Sequence, residues 1–281
     1  MASPADPEPT SANPPVLPPG FRTEVGFDFG HTLRPKGFFL AVVRMMAEMT
    51  RAPWDTVHQN GAIMKLSGVE VIVMPTTQSS LRVSHAALGL NAAANAAVQE
   101  ALFYRCLTNI SSHGLEIGKI EIDRSEFGSV DNQATNYGPE RKLTTKNLGE
   151  MGTFTDPKDN KFEIAYDFDG RKISSKDMFT AVVDALTTIR QFDQNARFET
   201  LHAVGPLSRT GQAVIFIREV SSRRGLTNYD VKRALLLIFD YNVVQNKFGE
   251  MGFDFFWDGE KIATGYVLRL DPPFTGGGAT A

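Results

Sequence analysis

Polar and apolar residues alternate along Glu24–Phe29 and again along Glu163–Phe168, so Val25, Phe27 and Phe29 share one side of a strand, as do Ile164, Tyr166 and Phe168. A helical stripe follows each strand: Phe39, Val42, Met46 and Met49 in the first case, Phe179, Val182, Leu186 and Ile189 in the second. From alternation and β-branched content, the first half predicts strands over 21–29, 62–66, 69–74 and 115–123, with helices over 35–50 and 92–111. In the second half, strands are predicted over 162–168, 197–203, 213–220 and 251–258, with a long helix over 229–245. Pro35 suits a first helical turn, while Ser175 and Asp177 suit an N-cap and a charged first turn. The segment GFDFFWDGEKIATGYVLRL reads as a hairpin turning at Asp258-Gly259, which adds a fifth strand over 263–270.

The two patterns form an internal repeat. With one gap, Glu24, Phe27, Asp28 and Phe29 fall over Glu163, Tyr166, Asp167 and Phe168, and FLAVV falls over FTAVV. Further on, Val98–Ile110 is set over Val231–Val243, and Gly118–Ile122 over Gly252–Phe256. Each unit then reads βαββαβ. The fold class this implies is α+β, two tandem ferredoxin-like units with antiparallel sheets and the helices on one face. The expected organisation is a disordered Pro-rich tail over 1–20, a first unit over 21–123 and a linker or long loop over 124–160. A second unit with a C-terminal hairpin over 161–270 and a disordered tail over 271–281 complete it.

One stretch suggests chemistry. In IAYDFDGRK (164–172) an apolar strand enters Asp-x-Asp-Gly, which resembles the first motif of haloacid-dehalogenase-type phosphatases, whose leading Asp is the nucleophile. The resemblance would make Asp167 that nucleophile. The chain departs from the pattern at Arg171, where Thr or Val is expected, and at Gly30, which replaces the second Asp in the first repeat. No alternating βαβα plan accompanies the motif. The same dipeptide recurs in DGEKI (258–262), so Asp-Gly reads as a turn with positive φ and Asp167 as an outward strand residue.

Composition narrows the function classes. The hydrophobic fraction of 42% and charged fraction of 22% are those of a globular protein. A net charge of −3 offers no basic field for nucleic acid or anionic lipid. The aromatics of the first strands turn inward, opposite to the stacking platform of an RNA recognition module, so nucleic-acid binding is disfavoured. The single cysteine, Cys106, excludes an intramolecular disulfide framework and reads as a core residue opposite Phe239. No signal-like leader and no apolar run of membrane-spanning length is present, so a cytoplasmic, reducing location and no membrane partner are expected.

The candidate binding residues are the outward acids Asp28, Glu121, Asp167 and Asp254, with Asp123 and Asp258 beside them, and His85 in the long connection 73–91. Asp28 is expected near Glu121 and Asp167 near Asp254, because first and last strands of a ferredoxin-like sheet are neighbours. Such acids could hold a hard cation. His31, His58, His113 and His202 show no ligand spacing. No catalytic constellation is legible and no cofactor is expected. The reading is therefore a non-catalytic binding or protein-interaction protein with a protein or small-molecule partner. The alternatives are a cyclase or isomerase using an apolar cavity between the units, and divalent-cation binding on the acidic face.

Overall fold

The computed structural model describes residues 10–12, 17–49, 51–76, 81–125, 150–168, 170–206, 211–220 and 223–271. A short strand, β1 (Thr10–Ala12), precedes the first half. That half runs β2 (Phe21–Thr32), α1 (Pro35–Met49), β3 (Ala62–Leu66), β4 (Val69–Pro75), α2 (Val83–Gln99), β5 (Tyr104–Ser112) and β6 (Leu115–Arg124). The second half opens with β7 (Glu150–Asp156), then β8 (Asp159–Phe168), α3 (Ser175–Ile189), β9 (Phe198–Val204) and β10 (Gln212–Glu219). It closes with α4 (Asn228–Gln245), β11 (Met251–Trp257) and β12 (Glu260–Leu270). Among the described residues the protein is thus mixed α+β, with four helices and two sheets, antiparallel except where β1 joins β9.

The five-stranded sheet has the order β2-β5-β6-β4-β3, and the seven-stranded one contains β8-β11-β12-β10-β9, flanked by β7 and β1. The two halves therefore share one connectivity. It is not the ferredoxin-like arrangement. In that arrangement the first strand lies between the last and the third; here β2 pairs with β5 and β8 with β11, but β6 and β12 come next and the third strands, β4 and β10, lie beyond them. The reason is a hairpin that the βαββαβ reading lacked in the first half. His113 and Gly114 have φ of 51° and 80°, and Asp258 and Gly259 repeat those values. Two consecutive positive-φ residues make the tight turn whose twist suits antiparallel neighbours. Each turn forces its two strands together, and the extra strand takes the middle of the sheet.

Other expectations shift for related reasons. The helix predicted over 92–111 ends at Gln99, and Tyr104–Ser112 is strand. The Ala-rich run carried the helical period past its end, whereas Cys106, Thr108 and Ile110 alternate inward. Pairing Val98–Ile110 with Val231–Val243 therefore sets a strand over a helix, and α2 corresponds instead to α4. Cys106 lies on β5 opposite Phe27 and Ile122, not opposite Phe239 on a helix. Part of the expected linker, 150–160, forms β7 and its turn into β8, and Thr10–Ala12 of the expected tail pairs with β9. Residues 126–149 of the expected linker and most of both expected tails lie outside the described residues. The N-cap of α3 is Ser174, whose side chain accepts from the Lys176 N–H, one place before the expected Ser175.

Each sheet turns one face inward. Ile164 and Tyr166 on β8 are buried, and Val25 and Phe27 on β2 pack against the core. Phe29 does not follow them: it is exposed and meets Tyr104 edge-on. The helix layer of one half packs on the helix layer of the other, with a sheet outside each, so a single apolar core runs through all four layers. At its centre Phe39 stacks on Phe179, ring centroids 4.2 Å apart and planes 25° apart. These two residues occupy equivalent places in the two stripes, so their contact marks a pseudo-twofold axis. Close approach of helix to sheet also explains a helical glycine: a Cβ on Gly89 of α2 would lie 2.7 Å from Ile110 Cδ1.

Candidate ligand site at the junction of the helix layers

Three of the four acids singled out by the sequence, Asp28, Glu121 and Asp254, meet cations of the same chain, whereas Asp167 is half-buried with its Oδ1 lacking a partner. Across the outer face of the first sheet, cross-strand partners form a row from Asp28 through Arg105, Asp123 and Glu70 to Lys65. Arg105 donates to Glu121 at 3.0 and 2.5 Å and lies 3.2 Å from Asp123 and 3.7 Å from Asp28. Because β5 stands between β2 and β6, Asp28 and Glu121 converge through an arginine. On the second sheet Asp167 and Asp254 stand on neighbouring strands, and Asp254 is 2.7 Å from Lys261. Among the described residues no group of three His, Cys, Asp or Glu side chains has the geometry to hold a metal ion.

Arg171, which broke the phosphatase pattern, ties its turn to the sheet. It donates to Glu250 at 2.9 Å, to the Arg269 carbonyl at 2.8 Å and to Asp271 at 2.5 Å. Its hydrogen bond holds the Glu250 carboxyl down to about 2. Gly170 lacks the positive φ that Asp258 and Gly259 show, so the two Asp-Gly pairs are not equivalent turns, and Asp169 lies outside the described residues. His85 lies in the first turn of α2 rather than in a loop; its Nδ1 accepts from the Arg82 N–H at 3.4 Å and its ring stacks on Phe21. Burial, then the charge of Arg82, lowers its pKa. The outer face of the second sheet is less polar than expected, since Phe216 and Tyr266 stack there 5.0 Å apart.

A different place gathers polar groups in a cleft. α1 and α3 run side by side in the same direction, touching near their starts through Phe39 and Phe179 and beyond their ends through Arg190 and Ala52. Past those ends the chain opens a cavity of about 390 Å³, which shares the lining residues Arg51, Gln194, Tyr229 and Lys232 with a second of about 320 Å³. Both halves contribute: Trp54 comes from the segment after α1, Arg190 and Phe192 from the end of α3, and Asn228, Tyr229 and Lys232 from the start of α4. The combined space lies within the range of small-molecule sites.

Arg190 is the unusual residue. It is 5% exposed, one terminal nitrogen donates to the Ala52 carbonyl at 2.9 Å, and its face lies over Trp54. Its Nε and other terminal nitrogen have no hydrogen-bond partner, and no carboxylate among the described residues pairs with it. Lys232 is 8% exposed, with its Nζ 5.3 Å from the centre of the Tyr229 ring. Burial pushes Arg190 down to about 9, and burial with repulsion from Arg190 and Arg51 pushes Lys232 down to about 8. Other cations nearby are committed: Arg51 to Glu48 at 2.8 Å, Arg44 to Asp240, and Arg233 to Asp156 and Asp159. Asn228 donates to the Asp193 carbonyl at 2.7 Å, while its Oδ1 lacks a partner.

Neither Arg190 nor Lys232 stands out in the sequence. A usable signal existed, since Arg190 extends the buried stripe of α3 one turn beyond Leu186, where an apolar residue is expected. Lys232 sits in α4, which is buried on most sides and so loses its polar face as a guide.

No family model matches the chain, and no curated protein matches it. Among solved structures, the tandem DUF26 ectodomain of the Arabidopsis thaliana cysteine-rich receptor-like protein PDLP8 aligns over 88% of this chain and 96% of its own, at 7% identity and a TM-score of 0.25. A pyran synthase domain from module nine of the sorangicin pathway aligns over 95% and 99%, at 13% identity and a TM-score of 0.15. At these scores neither likeness carries an argument about fold or function.

Proposed function

We propose that the chain is a non-catalytic binding protein built from a duplicated α+β unit, with its ligand held in the cleft where the two helix layers meet. The repeat of one strand order, β2-β5-β6-β4-β3 and β8-β11-β12-β10-β9, supports duplication, and the contact between Phe39 and Phe179 supports a fused pseudo-dimer. The observation that carries the binding reading is the cleft's lining, which both halves supply and which holds buried polar atoms without partners. The cyclase or isomerase alternative is weaker. Such chemistry was expected in an apolar cavity, whereas this cleft is lined by charged and polar groups, among them Arg51, Arg190, Asp193, Asn228 and Lys232, and Cys106 is buried in the first sheet, its thiol pushed up to about 11 by burial.

As an expected outcome, a screen of small molecules against the full chain raises its melting temperature with several compounds. Trp54→Phe removes the accompanying fluorescence change, and the same compounds are recovered chemically intact. Turnover of a compound, abolished by one polar substitution in the cleft, would overturn the reading.

A further inference from the structure

We infer that the cleft binds a phosphate group, free or as the monoester of a small organic molecule, between the guanidinium of Arg190 and the ammonium of Lys232. This rests on the binding reading above and names the ligand's chemistry.

Two cations share this pocket, each more than nine-tenths buried and neither with a carboxylate partner among the described residues. Burying a charge is costly unless it is paired and hydrogen-bonded, and two like charges side by side compound the cost. Among the described residues neither forms an ion pair, although Glu48 attracts Lys232, while Arg44, Arg51 and Arg233 around them are paired. The Arg190 contact with Ala52 uses a single nitrogen and accounts for the position of the side chain, not for the two nitrogens left buried without a partner. Its Nε and other terminal nitrogen lie on different edges of the guanidinium, so each offers a separate donor rather than a two-pronged fork. Lys232 supplies a point charge to a third oxygen.

Charge selects the class. A carboxylate would neutralise one cation; a phosphate monoester carries between one and two negative charges at neutral pH and neutralises both. Trp54 and Phe192 line the same cavity and offer apolar surface to the organic part of an ester. The cavity of about 390 Å³ is larger than inorganic phosphate needs, so the monoester is expected to bind more tightly than the free ion.

The test is isothermal titration of the full chain at pH 7.5 and constant ionic strength with inorganic phosphate, phenyl phosphate, phenylacetate and benzyl alcohol. Saturable binding of phenyl phosphate is expected, at least tenfold tighter than phenylacetate. Arg190→Met and Lys232→Met should each weaken it at least tenfold. Arg190→Met also removes an uncompensated buried charge, so its ligand-free melting temperature should match or exceed that of the parent, and Lys232→Met leaves the Ala52 contact in place if it does not. Tighter inorganic phosphate than phenyl phosphate would support the site with the free ion as its ligand. Absence of any phosphate response, or a response unchanged in both variants, overturns the inference. Saturable binding of benzyl alcohol sensed by Trp54 without a phosphate response overturns it too, but leaves the cleft a ligand site.

Discussion

On α3, Asp184 faces α2 of the other half, accepting hydrogen bonds from the Asn91 amide and the Val204 backbone N–H, and burial pushes its carboxyl up to about 6. Asn95 and Thr187 complete the polar patch, with Asn95 donating to Asn91 at 2.7 Å and Asn91 to Thr187 at 3.3 Å. The folded chain holds the Asp184 proton more tightly than the unfolded chain does. Its contribution to stability is therefore complete below the unfolded value of 3.8 and is lost as pH rises through about 6. Asp184→Asn keeps the shape and removes the titration. The variant should gain on the parent by on the order of 2–3 kcal/mol between pH 4 and pH 7. Urea denaturation at both values checks this, and a constant difference contradicts it. The outward placing of Asp28 and Asp167 was legible in the alternation of their strands. That Arg190 and Lys232 are buried and Asp184 half-buried was not, because residues of the other half help to cover each.

Among the elements, α1 and α3 decide how the halves meet. Phe39 and Phe179 stack on each other, Phe38 packs edge-on against Phe179 at 6.0 Å, and Phe103 closes on both Phe38 and Phe39. Truncating either member of the stack opens a cavity in a close-packed layer. Phe39→Ala and Phe179→Ala should each cost about 3–5 kcal/mol in urea denaturation. The double variant should cost less than the sum by about 0.5–1.5 kcal/mol, the coupling of an aromatic pair. Strict additivity would mean that the rings stabilise their own halves separately. The stripes themselves were readable from helical spacing, as were the bounds of β3 and the hairpin turn at Asp258-Gly259. The turn at His113-Gly114 escaped notice because its dipeptide is a weaker signal and an apparent helix covered the strand before it. That one omission changed the strand order of the sheet.

At the scale of the molecule, one core joins two sheets through four helices, and the ion pair of Arg44 with Asp240 bridges α1 and α4 across the halves. Neither half can leave the other without exposing Phe38, Phe39, Val42 and Met46, or their counterparts on α3, to water. Unfolding should therefore be one cooperative transition by calorimetry, with van't Hoff and calorimetric enthalpies equal. Two resolved transitions would show halves that hold their structure independently. No helix among the described residues is long and apolar enough to cross a membrane. Most of the strands, the helical stripes of α1 and α3, the pairing of β2 with β8 as repeats and the outward direction of the acids on their strands followed from the sequence alone, because periodicity, turn-forming pairs and the penalty on buried charge act over a few neighbouring residues. The central position of β6 and β12, the back-to-back packing of the helix layers, the arginine standing among the acids and the charged cleft came only with the tertiary structure. Each depends on contacts between residues tens to hundreds of positions apart, which no local pattern encodes.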